Sequence, residues 1–354
     1  MTELPADFAF NRQWGIESVN LSRYVSLNDN WQKSTDALVR IRNTLASAGL
    51  PNTIKTIAAA GSLARMEASE ESDADLIIVV DDRIEPDSAE DALAYASVWK
   101  ALDFLGIKKP NKGGVFSITN RTKDICGSNI GHMQEELRVF GKRLLLLLES
   151  QPVYEDNNYS NLIDLILDRY AMHYVKTDPQ KEWVFLINDL LRYFRALCVN
   201  YQWSFLKDPV KWPIRNVKLR HSRLIMYAGL LFLLGESSKE REDKLQWMRD
   251  RLFLTPLERI VWVYEENRDW SLHRVAGLYN VFLSRLNDPE VRKELHIEGS
   301  AAAKSGNSYP DRHRKLKAYA DLKANSDALI AELLRFVLAR RGTWSERFYE
   351  YLIF

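Results

Sequence analysis

The segment Ala60-Gly61-Ser62-Leu63-Ala64-Arg65-Met66-Glu67, followed by Ser72-Asp73-Ala74-Asp75 and the run Leu76-Ile77-Ile78-Val79-Val80, most constrains how this chain folds. An unbroken apolar run rich in β-branched residues and closed by Asp81-Asp82 reads as a strand buried on both faces, the setting of a central strand. Ile54–Ala60 reads as a second short strand, ended by Gly61-Ser62, and Leu63–Ala68 as one or two helical turns between them. Side chains alternate along a strand, so Asp73 and Asp75 are expected on one face.

The surrounding pattern extends this core into a small sheet. Ser18–Ala48 carries helical periodicity through Leu21, Tyr24, Val25, Trp31, Leu38, Ile41 and Leu45, and stops at Gly49 and Pro51. Ser88 is placed to cap a helix over Ala89–Leu105, with Asp91 at the acid position of a capping box. A basic loop, Lys108–Gly114, leads to a third strand over Val115–Ile118. Alternating strands and helices of this kind imply a small mixed sheet backed by helices. From Met133 the chain is expected to be almost wholly helical: His132–Glu149, Leu162–Tyr174, Trp183–Phe205, Leu219–Leu234, Lys239–Phe253, Pro256–Glu266, Val275–Leu286 and His313–Arg341. The Gly/Ser/Ala-rich stretch Glu298–Pro310 is expected to be a mobile loop, and the amphipathic tail Trp344–Phe354 to dock. The expected fold class is therefore α/β plus all-α: an α/β domain with its N-terminal helix over residues 1–150, and a large helical domain over 151–354.

Composition narrows the class of partner. Apolar residues make up 46% of the 354 residues, enough for a sizeable core, and the net charge of +1 gives no reason to expect wholesale attraction to nucleic acid or membrane. The longest apolar stretches, Leu144–Leu148 and Leu224–Leu234, fall short of the roughly twenty residues of a membrane span. Met1–Trp14 has no uninterrupted apolar run of the secretory kind, and Cys126 and Cys198 read as two reduced thiols, so a cytoplasmic protein is expected.

The chemistry lies in the opening segment. Two neighbouring carboxylates repel each other unless a cation neutralises them, and an oxygen-bound divalent ion such as Mg²⁺ does so while also bridging phosphates. Gly61-Ser62 allows close backbone approach and presents N–H groups at a helix start, which suits a phosphate. Arg65 could reach a phosphate oxygen or pair with a neighbouring carboxylate, and Glu67 reads as the structural partner of an arginine. A third carboxylate on an adjacent strand would complete such a site, yet Val115–Ile118 contains none; Asp124, Glu135 and Glu136 are the nearest acids along the chain. Asn188, Asp189, Arg192 and Arg195 share a helical face that either pairs internally or faces a cleft, and Lys218, Arg220, His221 and Arg223 form a further basic cluster. No P-loop and no zinc spacing occurs, and no Ser/His/Asp arrangement can be assigned.

A Gly-Ser followed after about eleven residues by Asp-x-Asp opening an apolar strand resembles the signature of the DNA polymerase β-type nucleotidyltransferase superfamily. The fuller form, Gly61-Ser62-x-x-Arg65-x-Glu67 with Ser72-Asp73-x-Asp75-Leu76, is most similar to the branch containing the bacterial uridylyltransferases and adenylyltransferases of nitrogen regulation, with related proteins of unassigned substrate. Arg143–Ser150, Asn188-Asp189-x-x-Arg192-Tyr193-x-Arg195 and Lys218-x-Arg220-His221-Ser222-Arg223 also resemble those related proteins. The sharp part covers Ile57–Val80. The resemblance implies a sheet of the nucleotidyltransferase type and transfer of an NMP from an NTP to a protein, RNA or small-molecule acceptor, with pyrophosphate release. It implies Mg²⁺ or Mn²⁺ on Asp73 and Asp75, phosphates on Gly61 and Ser62, further nucleotide contacts from Arg65, Asp189 and Arg192, and Ser72 orienting Asp73. The unfilled third-acid position leaves two alternatives: a nucleotide-binding regulatory module without turnover, or a toxin or defence nucleotidyltransferase.

Overall fold

The computed structural model describes residues 7–69, 72–107, 109–110, 114–127, 135–239, 242–304 and 317–353. Helix α1, Val25–Ser47, buries Leu27, Trp31, Leu38, Ile41 and Leu45 along one stripe, the spacing read from the sequence. The helix begins later than Ser18, because a separate 3₁₀ turn, Leu21–Arg23, precedes it and takes the Asn20 side chain as its cap.

Strand β1, Ile54–Ala60, runs into the short helix α2, Gly61–Ala64, and returns as β2, Asp75–Val80. The two pair antiparallel with Ile57 opposite Ile78 and Ala60 opposite Asp75, and both are buried along almost their whole length. Helix α3, Ala89–Leu102, starts at Ser88, whose hydroxyl accepts the Asp91 N–H at 3.2 Å. The Asp91 carboxylate turns instead to the Asp87 N–H, the Thr119 hydroxyl and Arg121.

The third strand differs from expectation. Residues 115–118 form turns, with Ser117 bonded back to the Gly114 carbonyl, and the ladder is made by the two-residue β3, Asn120–Arg121, parallel to β2. The Asn120 amide donates to the Ile78 carbonyl and the Arg121 guanidinium to the Ile84 carbonyl, so side chains as well as ladder bonds hold this edge. After α4, Thr122–Ile125, and α5, Leu137–Glu149, comes a strand the sequence did not announce: β4, Gln151–Tyr154, antiparallel to β1. Pro152 is tolerated because β4 is an edge of the sheet, whose order is β3-β2-β1-β4. The sheet thus extends past residue 150.

The remainder is helical: α6 Asp156–Ala171, α7 Val184–Lys207, α8 Trp212–Lys218, a π-helical turn Leu219–Arg223, α9 Leu224–Ser237, α10 Lys244–Arg251, α11 Pro256–Glu266, α12 Leu272–Asn287, α13 Pro289–Lys304, α14 Lys317–Ala339 and α15 Glu346–Ile353. Helix α11 carries a full capping box between Thr255 and Glu258. Helix α9 is apolar nearly all round and is buried nearly all round, as that pattern requires. The expected loop over 298–310 is helical as far as Lys304, and its remaining residues, with 108 and 111–113 of the basic loop, lie outside the described residues. The tail docks through buried Trp344 and Phe348, the Trp344 indole donating to Glu236 at 3.0 Å. One continuous core runs from Phe10 to Phe348, with α1 packed on both β4 and α12, so sheet and helices share it. Among the described residues no helix is long and apolar enough to cross a membrane.

Candidate active site

The antiparallel register delivers Asp75 to the end of β1, beside Gly61. Gly61 has φ +72°, a conformation side-chain-bearing residues rarely adopt, and a Cβ there would stand 2.6 Å from Asp75 Oδ2. Both the backbone turn and the close approach of Asp75 therefore require glycine. The Gly61 N–H donates at 3.0 Å to Glu149 Oε1. Glu149 is the last residue of α5, and the pairing of β4 with β1 (Gln151 opposite Ala59) carries it to this spot.

Glu149 then gathers two cations. Arg65, at the end of α2, donates to it and also lies 3.0 Å from Glu67 Oε2. Arg223 of the π-turn approaches both Glu149 oxygens, at 3.2 and 3.3 Å. Glu67 in turn accepts the Tyr279 hydroxyl of α12, which lies 3.4 Å from Ser222 Oγ. A chain of charged contacts thus joins α12 and the π-turn to the Gly61 loop.

Burial pushes the Asp75 carboxyl up to about 6; Arg223 opposes this, Glu149 adds to it, Arg65 opposes and Asp73 adds. Burial also works against charge on Glu149, but Arg65 and Arg223 outweigh it and hold that carboxyl below its usual range. Lys218 is held below the usual ammonium range by desolvation and by Arg292, Arg223 and Arg65, with Glu67 opposing. Tyr193 of α7 also belongs here, its phenol raised by burial and by Glu149.

The π-turn separates two faces of an otherwise continuous helix. On its inner side His221 stacks on Phe282 with ring centroids 4.2 Å apart, and its two nitrogens lie 2.8 Å from the Val217 carbonyl and 2.9 Å from Asn325 Oδ1. Burial lowers its pKa to about 4. Arg220 is bound to Ser326 and Asp327. Of that basic cluster Arg223 reaches the site by direct contact, while Lys218 is exposed.

Of the residues singled out from the sequence, Gly61, Arg65 and Asp75 come together, with Arg65 engaged as an ion pair and Glu67 as its structural partner. Ser62 is half-buried beside them, its carbonyl accepting the Glu67 N–H at 2.8 Å. The bond expected from Ser72 toward Asp73 goes elsewhere: the Ser72 hydroxyl accepts the Ser69 N–H at 2.9 Å. Because β2 begins at Asp75, Asp73 stands outside the ladder. It is exposed and lines a cavity of about 450 Å³ with Lys33 and Arg40 of α1, a cavity that Asp75 does not line. Asp189 and Arg192 sit in a second cluster: Asp189 accepts the Tyr170 hydroxyl at 2.8 Å and meets Arg143 at 3.5 Å, while Arg192 lies 3.6 Å from Glu135. Glu135 is thus committed to Arg143 and Arg192, and Asp124 and Glu136 are exposed. The acid that does reach Asp75 is Glu149, which the sequence showed only as the end of the leucine run Leu144–Leu148 within the Arg143–Ser150 segment, with no role assigned to it.

Among the described residues no three His, Cys, Asp or Glu side chains converge so as to hold a metal ion by themselves. Carboxylate oxygens such as those of Asp75 and Glu149, on either side of Gly61, are donors of the kind that suit Mg²⁺ or Mn²⁺, and here waters or phosphate oxygens would have to supply most of the shell. The desolvated Asp75 carboxylate is the group such a cation would relieve. No protein-family model matches this chain, and no curated protein and no solved structure matches it.

Proposed function

We propose that the protein is a metal-dependent nucleotidyltransferase, moving an NMP unit from an NTP to a protein, RNA-end or small-molecule acceptor. The observation that carries this reading is the meeting of the left-handed Gly61 turn with a desolvated Asp75, beside the Glu149–Arg223 ion pair. It adds to the resemblance of the Gly61–Asp75 segment to polymerase β-type nucleotidyltransferases. In the reaction an acceptor oxygen attacks the α-phosphorus, the bond to the pyrophosphate oxygen breaks, and pyrophosphate leaves carrying the displaced charge. Asp73 and Asp75 would hold Mg²⁺ or Mn²⁺, which supplies charge neutralisation at the phosphates. Gly61 and Ser62 present the turn to the triphosphate, Lys218 and Arg223 attract its negative charge, and Glu149 is the third carboxylate beside Asp75.

A second reading, a nucleotide-binding module without turnover, is favoured by one feature. The strand beside β2 carries Asn120 and Arg121 and no acid, and Glu149 is already neutralised by two arginines. The test uses α-labelled NTPs with Mg²⁺ or Mn²⁺ and a panel of acceptor fractions. Transfer that falls about a thousandfold in Asp75→Asn supports the enzyme. Binding without pyrophosphate release across all four NTPs supports the module, and an Asp75→Asn variant that binds and transfers normally overturns both.

A further inference from the structure

Two carboxylates, Asp75 and Glu149, abut one residue. Asp75 Oδ2 lies 2.6 Å from where a Gly61 Cβ would stand, and Glu149 Oε1 lies 3.0 Å from the Gly61 nitrogen. The cation paired with Glu149 from outside this loop is Arg223: its Nη1 lies 3.2 and 3.3 Å from the Glu149 oxygens, and its charge also acts on Asp75. We propose that Arg223, paired with Glu149 beside Asp75, serves as the cation of this carboxylate pair when no nucleotide is bound, and yields that place to a divalent ion as it turns to the incoming phosphates. This rests on the nucleotidyl-transfer reading of the same site.

Three features support the exchange. Arg223 is the movable member: its side chain is 24% exposed, whereas Arg65 is 5% exposed and is tied to Glu67 as well as Glu149. Charge counting is consistent with it. Asp73, Asp75, Glu149 and Glu67 set against Arg65 and Arg223 leave two negative charges, and departure of Arg223 leaves three, so a divalent ion more than replaces the charge that Arg223 withdraws. Arg223 also has somewhere to go, because it shares its side of the site with Lys218, Arg65 and Arg292, cations whose mutual repulsion a phosphate relieves. Metal and triphosphate are then thermodynamically coupled, since each removes an obstacle to the other.

The test needs no catalysis. Mn²⁺ binding to the nucleotide-free protein, read by electron paramagnetic resonance, should tighten about tenfold in Arg223→Met and stay within about twofold of wild type in Arg223→Lys. Adding Glu149→Gln to Arg223→Met should remove the gain. An unchanged or weaker Mn²⁺ affinity in Arg223→Met, or equal tightening in Arg223→Lys, overturns the exchange. A complementary measurement survives a misfolded Arg223→Met: metal-free ATP, titrated in chelator, should bind about fivefold tighter to Glu149→Gln, which releases Arg223, and equal or weaker binding overturns the proposal. A protein that behaves as expected in these titrations yet transfers no nucleotide fails the proposed function and retains the exchange.

Discussion

Helix α5 carries two charge clusters built from the same residue types, one around Arg143 at its middle and one around Glu149 at its C-terminal end, and they are put to opposite uses. Around Arg143 most of the charge is paired inside the cluster. The Arg143 guanidinium donates to the Tyr170 hydroxyl at 2.9 Å and the Ile125 carbonyl at 3.1 Å, and pairs with Glu135 and Asp189. The Tyr170 hydroxyl in turn donates a hydrogen bond to Asp189, and Arg192 covers the Phe140 ring 4.3 Å from its centroid. At the Glu149 end, Asp75 is short of a partner, Lys218 and Arg223 repel each other, and Arg223 reaches solvent. A buried network whose charges pair with one another fixes a structure, whereas one that leaves a desolvated carboxylate beside a partly exposed arginine is arranged for a ligand. The Asn188–Arg195 face and the Lys218–Arg223 face looked alike in the sequence. Pairing is what separates them.

The largest effect that can break this contrast is on stability. Arg143→Met should cost about 3–5 kcal/mol in urea unfolding, because it leaves Asp189 and Glu135 buried beside an apolar side chain. The folded fraction should nevertheless bind ATP within about threefold of wild type, and a collapse of affinity would move this cluster into the site.

The π-turn carries the same contrast on a smaller scale, with His221 closed on one side and Arg223 open on the other. The folded-state pKa of His221 is lowered to about 4, below its ordinary value, so acid protonates the unfolded chain first. Its contribution is complete above the unfolded pKa of about 6.5 and disappears as pH falls through about 4, a loss of roughly 3 kcal/mol. Urea midpoints of wild type and His221→Gln should therefore converge as pH drops from 7 to 4. Parallel curves would exclude His221 as the source.

The smallest effect is the sharpest discriminator. Arg192→Ala should lower stability by only about 0.5–1 kcal/mol, since its side chain is one-third exposed and its ion pairs are long, at 3.6 and 3.7 Å. ATP affinity should not move. A tenfold fall would return Asp189 and Arg192 to the nucleotide, the role their resemblance implied.

The sequence was most legible where local rules and tertiary surroundings agree. β1 and β2 announced themselves by unbroken apolar runs, α11 by Thr255, Pro256 and Glu258, and the start of α3 by Ser88. β3 and β4 did not, because two residues and a proline-bearing four have no periodicity of their own and take their conformation from β2 and β1. The π-turn has no composition cue at all. Glu149 was hidden because an acid closing an apolar helix looks like any solvated helix end until β4 folds back along β1.

By itself, then, the sequence determined the central antiparallel pair, the glycine turn between its strands and the acid that opens β2, because backbone conformation and strand burial are local consequences of residue type. Only the tertiary structure decided which charges meet. It brought Glu149 across from β4, Arg223 from the π-turn and Tyr279 from α12, and it withdrew Asp189 into a closed network. Coulomb interactions depend on distance through space and on the water left between groups, and neither is written in residue order.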